Sequence, residues 1–147
     1  MAQGFYKLPI RFNTVSENSV VELLTCSELE SIDRNIELII TTCPGEHKFN
    51  KNFGCHIWDM DFELVFSRKK WEEDFTAHIL QAVRDFEQRL KEITVFLHIM
   101  EVARQDALSK TTAIKKRVEV FVNGRLVSTN ETCGFKYVLY LGPLSTE

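Results

Sequence analysis

At about Lys91 the apolar residues of this chain change their period, and that change restricts the fold more than any other feature of the sequence. Upstream, Trp71, Phe75, Ile79, Ala82, Val83, Phe86 and Leu90 recur at spacings of 4, 4, 3, 1, 3 and 4, which is the stripe of a long amphipathic helix. Glu72, Glu73 and Asp74 fall in its expected first turn and Arg84, Arg89 and Lys91 towards its end, an order that suits the helix dipole. Downstream, Ile93, Val95, Leu97 and Ile99 alternate with Thr94, Phe96, His98 and Met100, so a strand with two substantially apolar faces is expected. Val118, Val120 and Val122 repeat the alternation, and Asn123-Gly124 predicts a type I′ hairpin turn. Residues 104–112 read as a polar connection, and residues 135–141 as a further strand closed by Gly142-Pro143.

An earlier helix starts at Ser27, where Ser27-Glu28-Leu29-Glu30 matches the capping box. Leu29, Ile32, Ile36, Ile39 and Ile40 form its apolar stripe, and Pro44-Gly45 stops it near Thr42. Residues 45–61 are polar but dotted with Phe49, Phe53, Ile57 and Trp58, an ordered loop pinned by aromatics. Residues 6–12 have strand-like composition, and Pro9 confines them to an edge or an extended arm, so residues 1–26 are expected to be peripheral. The expected fold is α+β, with two helices packed on an antiparallel sheet of about three to four strands. No linker, repeat or low-complexity segment divides the 147 residues, which predicts one domain over 1–147.

Composition excludes several classes of function. Eighteen Lys and Arg against 21 Asp and Glu leave a net charge of −3, no handle for nucleic acid or an anionic membrane. No apolar run approaches the ~20 residues that cross a bilayer. Without a visible secretory signal, a cytoplasmic location is expected, with Cys26, Cys43, Cys55 and Cys133 as reduced thiols and not a disulfide framework. Cys43, His47, Cys55 and His56 are zinc-type ligands, but they lack paired ligand spacing, and ordinary loop residues are the better reading; neither metal nor cofactor is expected. No nucleophile motif or phosphate loop is present, and His78 and His98 read as packed or rim residues. The clusters at 68–70 and 115–117 read as solvated charge. Eleven Phe, several between 49 and 66, exceed the needs of such a core, so some are expected to face partner proteins.

Three groups of residues occur together in a known order. They are Ile32-Asp33 with Ile36-Glu37, Thr41-Thr42 and Pro44-Gly45-Glu46; then Phe53-Gly54; then Glu87-Gln88-Arg89 ending a helix before a strand. Over about residues 28–142 the chain thereby resembles the small baseplate wedge protein of contractile injection machines. That family includes TssE of type VI secretion and the gene-product-twenty-five-like subunit of contractile phage tails, sometimes labelled lysozyme-like. The family usually has Pro where this chain has Gln88, and a basic residue where it has Cys43. The resemblance implies a non-enzymatic structural component that binds other wedge proteins and offers strands to the first sheath subunits. Residues 118–122 or 135–141 are the candidate edges for that addition. Carried over from the motif, Glu87 and Arg89 would contact partners, with Pro44, Gly45, Glu46 and Gly54 shaping the loop. Arg89→Ala is accordingly expected to spare folding and stop sheath assembly. The alternatives are a peptidoglycan hydrolase and an α+β adaptor of another assembly.

Overall fold

The computed structural model describes residues 4–8, 25–60, 68–105 and 112–141. A two-stranded ribbon pairs β1 (Phe5–Tyr6) with β2 (Thr25–Cys26), and α1 (Glu28–Thr41) follows directly. Ser27 caps that helix in extended backbone, its Oγ accepting from the Glu30 amide at 3.2 Å. Ile32, Ile36, Ile39 and Ile40 are fully buried, each burial stabilising the fold by roughly 2 kcal/mol. Leu29, expected in the same stripe, is 44% exposed in the first turn of the helix.

A 3-10 turn (His56–Asp59) buries Ile57 and is tied to the end of α1 by Trp58, whose indole N–H donates to the Ile40 carbonyl at 2.8 Å. Helix α2 (Arg68–Phe86) places Trp71, Phe75, Ile79, Ala82 and Val83 in the core. Leu90, the last residue of the periodic stripe, is instead the first of β3 (Leu90–Gln105), and the acidic residues 72–74 lie beyond the helix's first turn. The order of the sheet is β3, β4 (Thr112–Leu126), β5 (Thr132–Leu141), antiparallel throughout. Val118, Val120 and Val122 of the central strand face the helices and are fully buried. The expected α+β class is therefore observed, with two α-helices and a three-stranded antiparallel sheet among the described residues.

Three expectations are corrected. Arg104 and Thr112 belong to β3 and β4, where Arg104 pairs with Ala113 and Gln105 with Thr112, because a backbone ladder does not require apolar side chains to continue. Asn123-Gly124 is not a turn: both residues pair with β5, and the chain reverses at residues 127–130, where Asn130 takes φ +61°. The ladder outweighs the dipeptide's local preference, and Gly124 serves a close approach instead, since a Cβ there would stand 3.2 Å from the Lys91 carbonyl oxygen. Finally, residues 118–122 form no edge, being hydrogen-bonded on both sides. Of the expected N-terminal strand, Pro9 to Phe12 lie outside the described residues.

Candidate functional site at the corner between α2 and β3

Helix α2 ends where the Glu87 amide donates to the Val83 carbonyl at 2.9 Å; three residues later the chain enters β3. Glu87, Gln88 and Arg89 thus form a corner and not a helix end. The Arg89 carbonyl accepts from the Val127 amide at 2.9 Å, which ties the corner to the turn between β4 and β5.

Glu87 is 2% exposed. Burial of a carboxylate is costly unless its oxygens are filled, and here they are. Oε1 accepts from the Arg89 backbone N–H at 3.1 Å and from Nε at 2.8 Å. Oε2 accepts from Arg89 Nη2 at 2.8 Å and from Asn35 Nδ2 at 2.8 Å. The guanidinium meets the carboxylate as a two-pronged fork, the strongest geometry available to such a pair. Arg89 Nη1 donates to Ser31 Oγ at 2.7 Å, and its Cζ stands 5.3 Å from the centroid of the Phe5 ring. The hydrogen bond to Glu87 holds the guanidinium above its usual proton affinity. Because Glu87 is buried, Arg89→Ala would strand a charge, so the substitution cannot be taken as neutral for folding.

Ser31 and Asn35, one helical turn apart on α1, complete this clasp and were not singled out in the sequence. Their only local signal is a polar pair flanking the buried isoleucines, with partners 52 and 58 positions away.

The loop after α1 lies against the same corner. Asn35 Nδ2 also donates to the Phe86 carbonyl at 3.3 Å, and the Phe86 ring packs against Phe53 with centroids 5.0 Å apart and planes tilted by 58°. The loop is closed by Cys55 N–H to the Thr42 carbonyl at 2.9 Å and by Gly45 N–H to the Lys51 carbonyl at 2.8 Å. Glu46 accepts from the Cys43 amide at 3.1 Å, across the turn that holds Pro44. Gly54 has φ +131°, and a Cβ there would fall 2.5 Å from the Thr42 carbonyl oxygen. At the tip, Phe49 is 88% exposed with Lys48 Nζ 5.6 Å from its ring centroid.

Among the described residues no three His, Cys, Asp or Glu converge as a metal-ligand set. Burial pushes the Cys55 thiol up to about 11, His47 Nδ1 accepts from the Asn50 amide, and His56 Nδ1 lies 2.8 Å from Asp59. His98 is exposed beside Glu119 on the sheet, and His78 is half-buried next to His56. Glu87 has both oxygens engaged, which leaves it no position for proton transfer to a substrate. Among the described residues no helix is long and apolar enough to cross a membrane.

A family model, baseplate wedge protein gp25, matches residues 26–131. The chain belongs to that family. The matched span contains the loop, the corner and the turn that tie together around Arg89. Baseplate wedge gp25 proteins are structural components of contractile tails, and that is the class of this chain. A comparison with curated proteins returned no match. Among solved structures, a Geobacter sulfurreducens protein bearing the name tail lysozyme superposes with a TM-score of 0.60 at 22% identity, covering 84% of this chain and all of that one. At that identity the likeness speaks for the fold alone.

Proposed function

We propose that this gp25-family chain is a non-enzymatic wedge subunit of a contractile injection machine, of type VI secretion or phage-tail kind, working in the cytoplasm. It joins other wedge proteins through the corner at Glu87 and Arg89 with the adjoining loop. It then starts the sheath by accepting a strand on β5.

The observation that carries the second step is the form of that edge. Strand β5 is ten residues long and ends the order of the sheet, so its outer backbone groups offer a template for pairing. A groove of about 160 Å³ runs beside it, lined by Glu37, Ile40 and Thr41 of α1 and by residues 136–139 of β5. An added strand would find backbone donors on one side and a helix wall on the other. The first step rests on rigidity: a clasp whose charges are already satisfied presents Phe49 and the loop without an ordering cost at the moment of binding.

Hydrogen exchange on the chain with and without purified sheath subunit tests strand addition. Amides of residues 132–141 are expected to slow on complex formation; a complex that forms with β5 exchanging as before would overturn the assignment. Peptidoglycan hydrolysis is checked separately by the clearing of a cell-wall suspension, where no activity above buffer is expected.

A further inference from the structure

The face of the sheet turned away from the helices is not the polar surface that an antiparallel sheet ordinarily shows to water. The register places Phe96, Phe121 and Lys136 in one row, His98, Glu119 and Val138 in the next, and Met100, Arg117 and Tyr140 in a third. Phe96 is 58% exposed, Tyr140 62% and Val138 37%. Beyond the Phe row, Thr94, Asn123 and Gly134 line part of a shallow depression of about 440 Å³.

At the centre sits a carboxylate. Glu119 is only 9% exposed, and its Oε1 receives Lys136 Nζ at 3.1 Å and Arg117 Nη2 at 3.2 Å, while His98 Nδ1 is 3.3 Å from Oε2. Two permanent cations share one anion, so the patch carries an excess positive charge within an apolar surround. Among the described residues Arg117 Nε is moreover buried without an acceptor.

We propose that this face docks an amphipathic helix of a partner protein, one that carries Asp or Glu beside its apolar stripe. Exposed Phe96 and Tyr140, at opposite corners of the patch, and Val138 between them supply the apolar contact. The excess positive charge selects carboxylates and disfavours basic helices. A helix suits the place because sheet faces are covered by layers, and the opposite face of this same sheet already seats α2. The inference goes beyond the wedge and sheath assignment: it uses the face of the sheet, whereas strand addition uses its edge.

Two synthetic helical peptides of about 18 residues test it, sharing one Leu/Ala stripe and flanked by Glu in one and by Lys in the other. Titrated into the isotopically labelled full chain, the Glu peptide is expected to move the amide signals of Phe96, Phe121, Val138 and Tyr140. The Lys peptide is expected to bind at least about tenfold more weakly. A Phe96→Ser/Tyr140→Ser variant, folded by its unchanged spectrum elsewhere, should lose the Glu peptide, and Lys136→Met should weaken it. Equal binding of both peptides, shifts confined to another surface, or no binding by the Glu peptide would overturn the proposal. So would signals on this face that shift with protein concentration alone, which would make a second copy the occupant.

Discussion

Glu87 and Glu119 are both nearly enclosed carboxylates with cationic neighbours, yet they are built on opposite plans. Glu87 takes its cation from two residues along the chain and its remaining donor from Asn35, and every one of these contacts ends inside the molecule. Glu119 lies at the middle of a sheet face, its two cations, Arg117 and Lys136, reach it from two strands with His98 on a third, and among the described residues Arg117 Nε is left without an acceptor. The first arrangement fixes a corner between a helix, a strand and a hairpin turn. The second leaves a charged, aromatic surface incompletely satisfied. A saturated buried pair holds shape, and an unsaturated one is available for recognition, although both read as Glu beside Arg in the sequence.

The sharpest way to break this contrast is at Arg89. Arg89→Ala removes the fork and leaves the Glu87 charge buried with only Asn35 and one backbone amide, so a loss of about 3 to 5 kcal/mol is expected in urea unfolding. A loss below about 1 kcal/mol would mean that water reaches the corner and that the clasp is no lock. Next in size is Asn35→Ala, which deletes a hydrogen bond to a charged acceptor at 2.8 Å and should cost about 1.5 to 2 kcal/mol. Combined with Arg89→Ala it should be clearly non-additive, since both substitutions act on the same carboxylate.

On the sheet face the effect should be smaller. Lys136→Met removes a half-exposed ammonium but leaves Arg117 and His98 on Glu119, so thermal unfolding is expected to shift less than for Asn35→Ala. A larger shift would place Glu119 among the structural locks and remove the distinction between the two sites.

The same distinction explains what could be read from the sequence. Both helices were legible because the isoleucines of α1 and the Trp71 to Val83 stripe repeat at 3.6, a property of each segment alone. The corner was visible only through its motif, because Glu87 and Arg89 are neighbours in the chain while Ser31 and Asn35 reach them from more than 50 residues away. The hairpin was misplaced at Asn123-Gly124 because a local turn preference was weighed without the ladder that runs through it. The Glu119 cluster could not be seen at all: it exists only once the register sets His98 opposite Glu119 and Lys136 opposite Phe121.

The smallest expected effect is also the most selective for the open site, and it comes from acid. Hydrogen bonds from His98 and then Lys136, helped by the charges of Lys136 and Arg117 and opposed by partial burial, hold the Glu119 carboxyl below its ordinary value of 4.5. A carboxyl with a depressed folded-state pKa contributes stability that is complete above its unfolded value and is lost as pH falls through the folded one. The contribution should therefore be present at neutral pH and fade below about pH 4.5. Glu119→Gln has no such contribution to lose. Unfolding midpoints of wild type and Glu119→Gln should consequently lie apart at about pH 6 and draw together towards about pH 3. If wild type were instead less stable than Glu119→Gln at about pH 6, the ionised carboxylate would be a burden in the free chain. That outcome would separate stability from recognition at this site, and the docking experiment would then have to be repeated with Glu119→Gln to learn which of the two the carboxylate serves.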